Sequence, residues 1–365
     1  MSHYVLLGVE ASYYAAKIRA LLRYKRLAFE DRLATRAVFD DIILPRVGWA
    51  VIPVLLTPGN EVVQDTSDMF DLIQARHAEP PALPIDPAAR VMAYLLELLG
   101  DEWLKLPAMH YRWNHNYDFA VAEFGRNNDP EQAPGEQLRV GAKIARRFHA
   151  WLEPLGVWPA SHAAIEHDYF TLLELLEAHF AEHAYLQGRA PTLGDFAFYG
   201  PFYAHLYRDP ASGAILRARA PRVVDWIERL GADARDARGV ADAVPESLLD
   251  IVRHLLRDYV PILCDAMPRL QDWLAAHPDV AEMPRYCGEH AVVLGRGTAH
   301  EVNVARAVFS YEQWMLQRVQ DEYAELTGAS AADAARMLDG CGARALFDLP
   351  LAVRVGRCAF KLVRE

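Results

Sequence analysis

The sequence has few cysteines, no long apolar run and no cluster of basic residues. Its 365 residues carry a formal net charge of −11, and an acidic chain without basic runs is poorly suited to bind nucleic acid or anionic lipid. No apolar stretch reaches the roughly 18 residues that a membrane span needs. The N-terminus lacks the charged segment of a signal peptide. We therefore expect a soluble, cytoplasmic protein without nucleic-acid or membrane partners.

The four cysteines all lie in the last third of the chain. They are Cys264, Cys287, Cys341 and Cys358, and no two of them form the C-x-x-C spacing typical of metal or redox sites. This pattern argues against a disulfide framework and against a bound metal.

The first 80 residues alternate between short apolar runs and one-sided helical patterns. Residues 4–9 form an apolar run, and the residues after it have apolar side chains three and four apart. Further strands are predicted near 28–33, 51–56 and 61–63, and a helix begins at Asp65. The predicted order β-α-β-β-β-α describes a compact domain with one mixed sheet.

A proline-rich linker is predicted at residues 81–87, after a first domain at 1–80. Beyond it the pattern is helical almost throughout, so we predict an all-helical domain at 88–230. Residues 231–365 form a third, helical segment. Its helices are predicted near 247–264, 267–276, 303–326 and 331–338.

Two dipeptides in the first domain suggest a binding site. Ile52-Pro53 places a proline inside an apolar strand, where it is either a trans residue at a strand end or a cis proline. In thioredoxin-like folds a cis proline exposes the backbone of the preceding residue to a peptide-like ligand. Asp65-Thr66 opens a helix, and a helix N-terminus with an adjacent acidic side chain can hold the amino-acid end of a ligand. The alternative for this second pair is an ordinary N-cap.

A run of hydroxyl-bearing residues, Ser12-Tyr13-Tyr14, lies between the first strand and the first helix. A hydroxyl there could donate a hydrogen bond to a bound thiolate and lower the thiol pKa from about 8.5 towards neutrality. Ser12 is our first choice for this role, with Tyr13 and Tyr14 as alternatives. The alternative is that Ser12 only caps the helix and that the two tyrosines only pack against other side chains.

In combination, these segments resemble the glutathione S-transferase family. The matching segments are residues 12–22, 51–55 and 65–69, and residues 185–196 are similar to the family's signature before its sixth helix. Thr192 and Asp195 form a predicted capping box in that signature and are structural. The resemblance implies an α/β thioredoxin-like N-terminal domain, then the family's all-α C-terminal domain, with an additional helical extension. It also implies a homodimer.

The resemblance implies a role for each candidate residue. Ser12 would activate the thiol of glutathione, which is the co-substrate. The backbone of Ile52, before Pro53, would pair with the cysteinyl part, and Asp65 and Thr66 would hold the γ-glutamyl end. The activated thiol would then attack a hydrophobic small molecule with an electrophilic atom.

Two departures from the family leave a second function open. The family often has a basic residue two positions before the proline, and here that position is Val51. Arg46 and Trp49 are nearby candidates to replace it. The segment 231–365 also exceeds the length of a usual transferase. A non-catalytic binding or assembly protein with the same fold is therefore the alternative.

The second domain contains a dense cluster of polar aromatic residues. In the family this domain forms the wall of the hydrophobic-substrate site, so Tyr13, His110, Tyr111 and Trp113 are candidates to line it. His110 and His115 are five residues apart and do not share a helical face well, and no acidic or cysteine partner has ligand spacing. We therefore expect no metal at this cluster.

Overall fold

The computed structural model of the chain describes residues 3–232 and 244–365. The chain folds into two compact units, each assembled from three separate stretches of sequence. Unit 1 comprises the described residues of Met1–Ala82, Ala108–Trp151 and Phe196–Ala237. Unit 2 comprises those of Leu83–Pro107, Leu152–Asp195 and Arg238–Glu365. The predicted division at residues 80, 88 and 231 stays a prediction.

The described strands are β1 (Tyr4–Gly8), β2 (Phe29–Leu33), β3 (Val54–Leu56), β4 (Val62–Gln64), β5 (Tyr286–Leu294), β6 (Val302–Phe309), β7 (Val355–Cys358) and β8 (Lys361–Arg364). The described α-helices are α1 (Tyr13–Tyr24), α2 (Arg36–Val38), α3 (Leu44–Val47), α4 (Thr66–Arg76), α5 (Pro87–Leu98), α6 (Lys105–His115), α7 (Tyr117–Asn128), α8 (Pro134–His149), α9 (Leu152–Leu155), α10 (His162–His179), α11 (Leu193–Pro201), α12 (Pro210–Arg219), α13 (Pro221–Gly231), α14 (Glu246–Ala276), α15 (Ser310–Ala324), α16 (Gly328–Cys341) and α17 (Arg344–Phe347). Turns of π-helix cover Phe39–Ile43, Leu99–Trp103 and Phe202–Tyr207, and a 3-10 turn covers Pro159–Ser161.

Unit 1 contains a four-stranded sheet with the strand order β2-β1-β3-β4. β1 is parallel to β2 and antiparallel to β3, and β3 is antiparallel to β4. Every residue of β1 is buried, and α1 packs so close that a Cβ on Gly8 would lie 2.9 Å from the Cβ of Ala15. The predicted β-α-β-β-β-α order and the thioredoxin-like architecture are confirmed. The helical turns between residues 36 and 47 were not predicted.

Helices of unit 1 complete its core. α7 and α8 form an antiparallel hairpin that depends on two glycines at the crossing. A Cβ on Gly125 would lie 2.1 Å from the carbonyl oxygen of Gln137, and one on Gly141 would lie 2.0 Å from that of Val121. Any larger residue at these positions would separate the two helices.

Unit 2 contains the acidic half of the predicted capping box. The carboxylate of Asp195 accepts hydrogen bonds from the backbone N–H groups of Thr192 and Leu186, each at 2.9 Å. Asp195 is fully buried, so both donors are satisfied away from water. This confirms its structural role.

The segment after residue 244 forms helices, as predicted, and also strands. The helices predicted at 247–264 and 267–276 are one continuous helix, α14, with Pro261 and Pro268 inside it. The prediction of helix at residues 303–309 is wrong, because these residues belong to β6, which pairs with β5. Alternating valines such as Val302 and Val304 favour a strand. Pairing with β5 stabilises this strand over the predicted helix.

Ion pairs connect this segment to α5 within unit 2. Arg318 on α15 reaches Glu97 on α5 with 3.2 Å between Nε and Oε2, and Glu97 is fully buried. Arg90 and Glu322 form a second pair between the same helices, at 2.5 Å. Since a buried carboxylate needs a partner, α15 is part of the fold of this unit and not an appended tail.

A buried charged network lies next to these helices. Arg306 on β6 forms two hydrogen bonds to Glu312, at 2.6 and 3.2 Å, and the Tyr259 hydroxyl donates to the same carboxylate at 3.0 Å. Burial raises the pKa of Tyr259 well above its usual range. All three side chains are at most 2% exposed, so removal of one partner leaves an uncompensated buried charge.

Among the described residues, no helix combines the length and the apolar character needed to cross a bilayer.

Replacing Arg306 by Met tests the importance of the buried network. We expect the free energy of unfolding to fall by about 3–5 kcal/mol, because Glu312 stays buried without its cation. The matched control is Arg336→Met, which removes an exposed pair with Asp333 and should change stability little. Thermal unfolding followed by circular dichroism compares the two. Equal losses in both variants would contradict a specific role for the buried pair.

Candidate functional site

Three chain segments meet at one edge of the unit 1 sheet. In the register, Leu7 on β1 lies opposite Val54 on β3, and Val54 lies opposite Gln64 on β4. The same edge of the sheet therefore holds the next residue of each strand in this direction. These residues are Gly8 at the end of β1, Pro53 before β3 and Asp65 after β4. α1 and α4 both begin just beyond this edge. The sheet thus brings Pro53 and Asp65 to the end of β1, and the chain continues from there to Ser12.

Ser12 occupies the N-cap of α1, just beyond the end of β1. Its Oγ accepts a hydrogen bond from the backbone N–H of Ala15 at 3.2 Å, and its side chain is half-buried. A hydroxyl has one donor hydrogen and two acceptor lone pairs, so Ser12 can cap the helix and still donate to a ligand. The capping alternative and the thiol-activating role are compatible.

The two alternatives to Ser12 differ in exposure. Tyr13 is buried, and its ring is edge-on to that of His205 with 5.8 Å between centroids. Its backbone carbonyl lies so close to Gly200 that only a glycine fits at that position. Burial holds the pKa of His205 well below its usual range, so this neighbour is neutral near pH 7. Tyr14 is half-buried, and its ring centroid lies 4.8 Å from that of Tyr13.

The Ile52–Pro53 peptide bond is cis, as the resemblance implies. Pro53 is buried and Ile52 is half-buried at the sheet edge, directly before β3 begins. The predicted strand at 51–56 is therefore shorter, starting at Val54, because the proline has no N–H for the ladder. Arg46, a candidate cation for this edge, donates to the carbonyl and side-chain oxygens of Asn60 at 2.6 and 3.0 Å.

Asp65 is the N-cap of α4 and has an unusual backbone. Its φ is +90° and its ψ is 135°, a conformation that residues other than glycine rarely adopt. Its carboxylate accepts a hydrogen bond from the N–H of Ser67 at 2.9 Å, and Thr66 is buried in the first turn. The strained backbone favours a functional role for Asp65, since such strain clusters at functional sites.

A further group of residues fixes the loop between β1 and α1. Arg112, on α6, donates to the carbonyl of Ala11, which directly precedes Ser12. The Tyr203 hydroxyl bonds to Glu10, and burial raises the Tyr203 pKa to about 12. Sequence reasoning missed these residues. The signal available was an arginine between His110 and Trp113, since a buried arginine requires acceptors.

The residues predicted to line a hydrophobic-substrate site are buried in the structure. His110, Tyr111 and Trp113 are at most 3% exposed. The ring of Trp113 is nearly parallel to those of Phe124 and Phe148, with centroids 5.8 and 6.1 Å away, and Phe148 is exposed. The role of the three predicted residues in substrate contact stays a prediction.

The two histidines of this cluster meet, which the spacing did not predict. The Nε2 atoms of His110 and His115 lie 3.3 Å apart, and Asn114 bonds to the Nδ1 of His110 at 3.0 Å. His115 ends α6, and helical side chains point back towards the N-terminus, so its ring can reach the preceding turn.

Two family profiles match the sequence. The profile for "Glutathione S-transferase, N-terminal domain" matches residues 6–81, and the one for "Glutathione S-transferase, C-terminal domain" matches residues 166–233. Residues 6–81 and 166–233 thus match both domains of the glutathione S-transferase superfamily. The predicted resemblance is confirmed, and the chain continues for more than 100 residues beyond the second match. No curated protein matches the chain.

Solved structures similar to the chain include a glutathione S-transferase from Rhodospirillum rubrum F11. It is 15% identical over 68% of this chain and 99% of its own, with a TM-score of 0.41. A beta-etherase from Sphingobium sp. strain SYK-6 is 18% identical over 64% of this chain and 96% of its own, with a TM-score of 0.44. A glutathione S-transferase from Methylobacterium radiotolerans, in complex with glutathione sulfonate, is 24% identical over 66% of this chain and 99% of its own, with a TM-score of 0.36.

Substitutions at Asp65 separate its backbone from its carboxylate. Asp65→Gly and Asp65→Ala both lose the N-cap, but only glycine adopts a φ of +90° without strain. We therefore expect Asp65→Gly to be more stable than Asp65→Ala by about 1 kcal/mol. Urea unfolding measures the difference. A less stable glycine variant would show that the backbone at this position is not strained.

Proposed function

We propose that the chain is a glutathione-dependent transferase whose site lies at the sheet edge formed by Gly8, Pro53 and Asp65. The observation that carries the proposal is the register, which aligns the cis Ile52–Pro53 bond with two helix N-termini. Family membership alone does not establish an activity, because one fold hosts many functions. The edge, however, offers a complementary group for each part of glutathione except its glycyl carboxylate.

The γ-glutamyl end would bind at the start of α4. Its α-carboxylate would lie over the first turn of this helix, where the helix dipole is positive. The carboxylate of Asp65 would hold the α-ammonium group, and Thr66 would contribute its backbone N–H. The cysteinyl part would pair with the backbone of Ile52, since a strand edge beside a cis proline leaves peptide groups available.

The thiol would then lie near the start of α1. Ser12 would donate its hydroxyl hydrogen to the sulfur, and the N-terminus of α1 would add a favourable potential for negative charge. Both effects lower the thiol pKa, so the thiolate forms near neutral pH. Its lone pair would form a carbon–sulfur bond with a hydrophobic electrophile, and the leaving group would depart with the bonding electrons.

Other parts of the proposal follow the family. We infer that the protein acts in the cytoplasm as a homodimer and needs no metal. Trp113 and its exposed neighbour Phe148 are candidates for contact with the hydrophobic substrate, together with Tyr13, His110 and Tyr111. Arg46 is held by Asn60, so a cationic partner for the glycyl carboxylate requires that contact to open.

Replacing Asp65 by Asn tests the γ-glutamyl contact. Asparagine is as good an N-cap as aspartate but carries no charge, so the fold should be retained while glutathione binding weakens roughly 10- to 100-fold. Titration calorimetry with reduced glutathione and with S-hexylglutathione measures both proteins. The matched control is Asp86→Asn, another N-cap, on α5. Unchanged affinity in Asp65→Asn would remove this assignment. Failure of the wild type to bind either ligand would favour a non-catalytic binding or assembly role.

Replacing Ser12 by Ala tests the activation of the thiol. Loss of a hydrogen bond to a thiolate should raise the pKa of bound glutathione by about 1–2 units, so the thiolate appears only at higher pH. Thiolate absorbance measured against pH reports this shift. Tyr13→Phe and Tyr14→Phe serve as comparisons and should leave the pKa unchanged. A shift confined to one tyrosine variant would transfer the role to that residue.

A further inference from the structure

Arg112 has the most extensive hydrogen bonding of the buried arginines in unit 1. Its side chain is 2% exposed and lies on α6. Nε and Nη2 each bond to a carboxylate oxygen of Asp209 at 2.7 Å, which is a bidentate pair. Nη2 also donates to the carbonyl of Ala204 at 2.6 Å, and Nη1 donates to the carbonyl of Ala11 at 2.9 Å. One planar group therefore joins three separate segments of the chain.

The contact with Ala11 fixes the residue next to Ser12. Ala11 precedes Ser12 directly, and the Ser12 N–H bonds to the carbonyl of Val9 at 3.0 Å. On the other side, Ser12 is held by the N–H groups of Ala15 and Ala16, which bond to its Oγ and its carbonyl. Arg112 thus supplies the tertiary contact to the residue directly before Ser12, while the Tyr203 hydroxyl supplies a second one at Glu10.

The anchor for Arg112 is itself rigid. Asp209 is fully buried and is the N-cap of α12, where its carbonyl accepts the N–H of Gly213 at 2.8 Å. Asn116 accepts the N–H of Ala211 in the same helix at 2.8 Å. A guanidinium held this firmly can transmit a fixed position to the backbone that it binds.

We propose that Arg112 is a positioning residue for Ser12, an inference that rests on the proposed function above. The guanidinium has five donors in a planar fork, which suits one carboxylate and two carbonyls at once, whereas a lysine has three donors on one atom. Without the fork the Val9–Ser12 turn relaxes, and a small displacement of a group that contacts the reacting atom weakens catalysis strongly. Arg112 acts through Ser12 and does not touch the ligand.

The first test is hydrogen exchange in the ligand-free protein. Arg112→Lys keeps the charge and loses the fork, so the amides of Ser12, Ala15 and Ala16 should exchange about tenfold faster. The matched control is Arg208→Lys, which alters the neighbouring Arg208–Glu123 pair, at 2.5 Å, without a hydrogen bond to the turn. The control should leave these amides unchanged. Equal exchange in Arg112→Lys and the wild type, or equal acceleration in both variants, would overturn the proposal.

The second test is the pKa of bound glutathione, read from thiolate absorbance. In Arg112→Lys it should rise by at least about half a unit, a roughly threefold smaller thiolate fraction, while the dissociation constant of glutathione changes less than twofold. A normal thiol pKa in this variant would overturn the inference and leave the proposed function intact. Failure of the wild type to bind glutathione would overturn the proposed function, and the exchange result would still decide the position of Ser12.

A second variant keeps the proposal testable if Arg112→Lys does not fold. Asp209→Asn preserves the shape of the anchor and removes the charge that holds the fork. We expect the same amides to exchange faster, by a smaller factor than in the lysine variant. Unchanged exchange in Asp209→Asn would contradict the role assigned to this pair.

Discussion

The hydrogen-bonded register of β3 between β1 and β4 is the constraint on which the candidate site depends. Because β3 runs antiparallel to both neighbours, its first residue, Val54, pairs with Leu7 near the end of β1 and with Gln64 at the end of β4. A shift of one residue would turn every side chain of β3 to the opposite face of the sheet. Pro53 would then no longer lie opposite Gly8 and Asp65. Every residue of β1 and β3 is buried, so packing of the core fixes the register and with it the geometry of the site.

The helical part of unit 1 supports this edge from outside the sheet. Gly200 allows a helix to approach the carbonyl of Tyr13, and Arg112 and Tyr203 reach the turn before α1. These contacts join residues far apart in the sequence to positions 10, 11 and 13, on both sides of Ser12. Since a loop is otherwise the most mobile part of such a domain, the contacts explain how a serine can be held at a defined position.

Unit 2 shows a different use of buried charge. Its ion pairs connect α5 with α15, so the residues beyond the family's usual end share a core with the helical segment that begins at residue 83. Breaking a buried ion pair lowers stability strongly, although the intact pair adds little net stability. Such pairs also favour one packing partner for a helix over others. The additional segment is therefore a structural part of this unit, whatever further role it has.

Much of the first domain could be predicted because its signals are local. Strand and helix periods, a proline in an apolar strand and an acidic N-cap all lie within short windows, and they gave the order of elements and the candidate pair Asp65-Thr66. The contact from Arg112 to Ala11 spans 101 residues and leaves no local pattern. The strand at 302–309 was missed for a related reason, because its pairing with β5 outweighs a weak helical period. The positive φ of Asp65 is set by the tertiary fold and has no signature in its own sequence.

A crystal structure with glutathione bound tests the central claim most directly. Our account predicts that the cysteinyl backbone pairs with Ile52, the γ-glutamyl carboxylate lies over the first turn of α4 beside Asp65, and the sulfur lies within hydrogen-bonding distance of the Ser12 Oγ. A ligand bound away from this edge would contradict the site, and a sulfur bound at the edge but closer to Tyr13 or Tyr14 would contradict the role of Ser12.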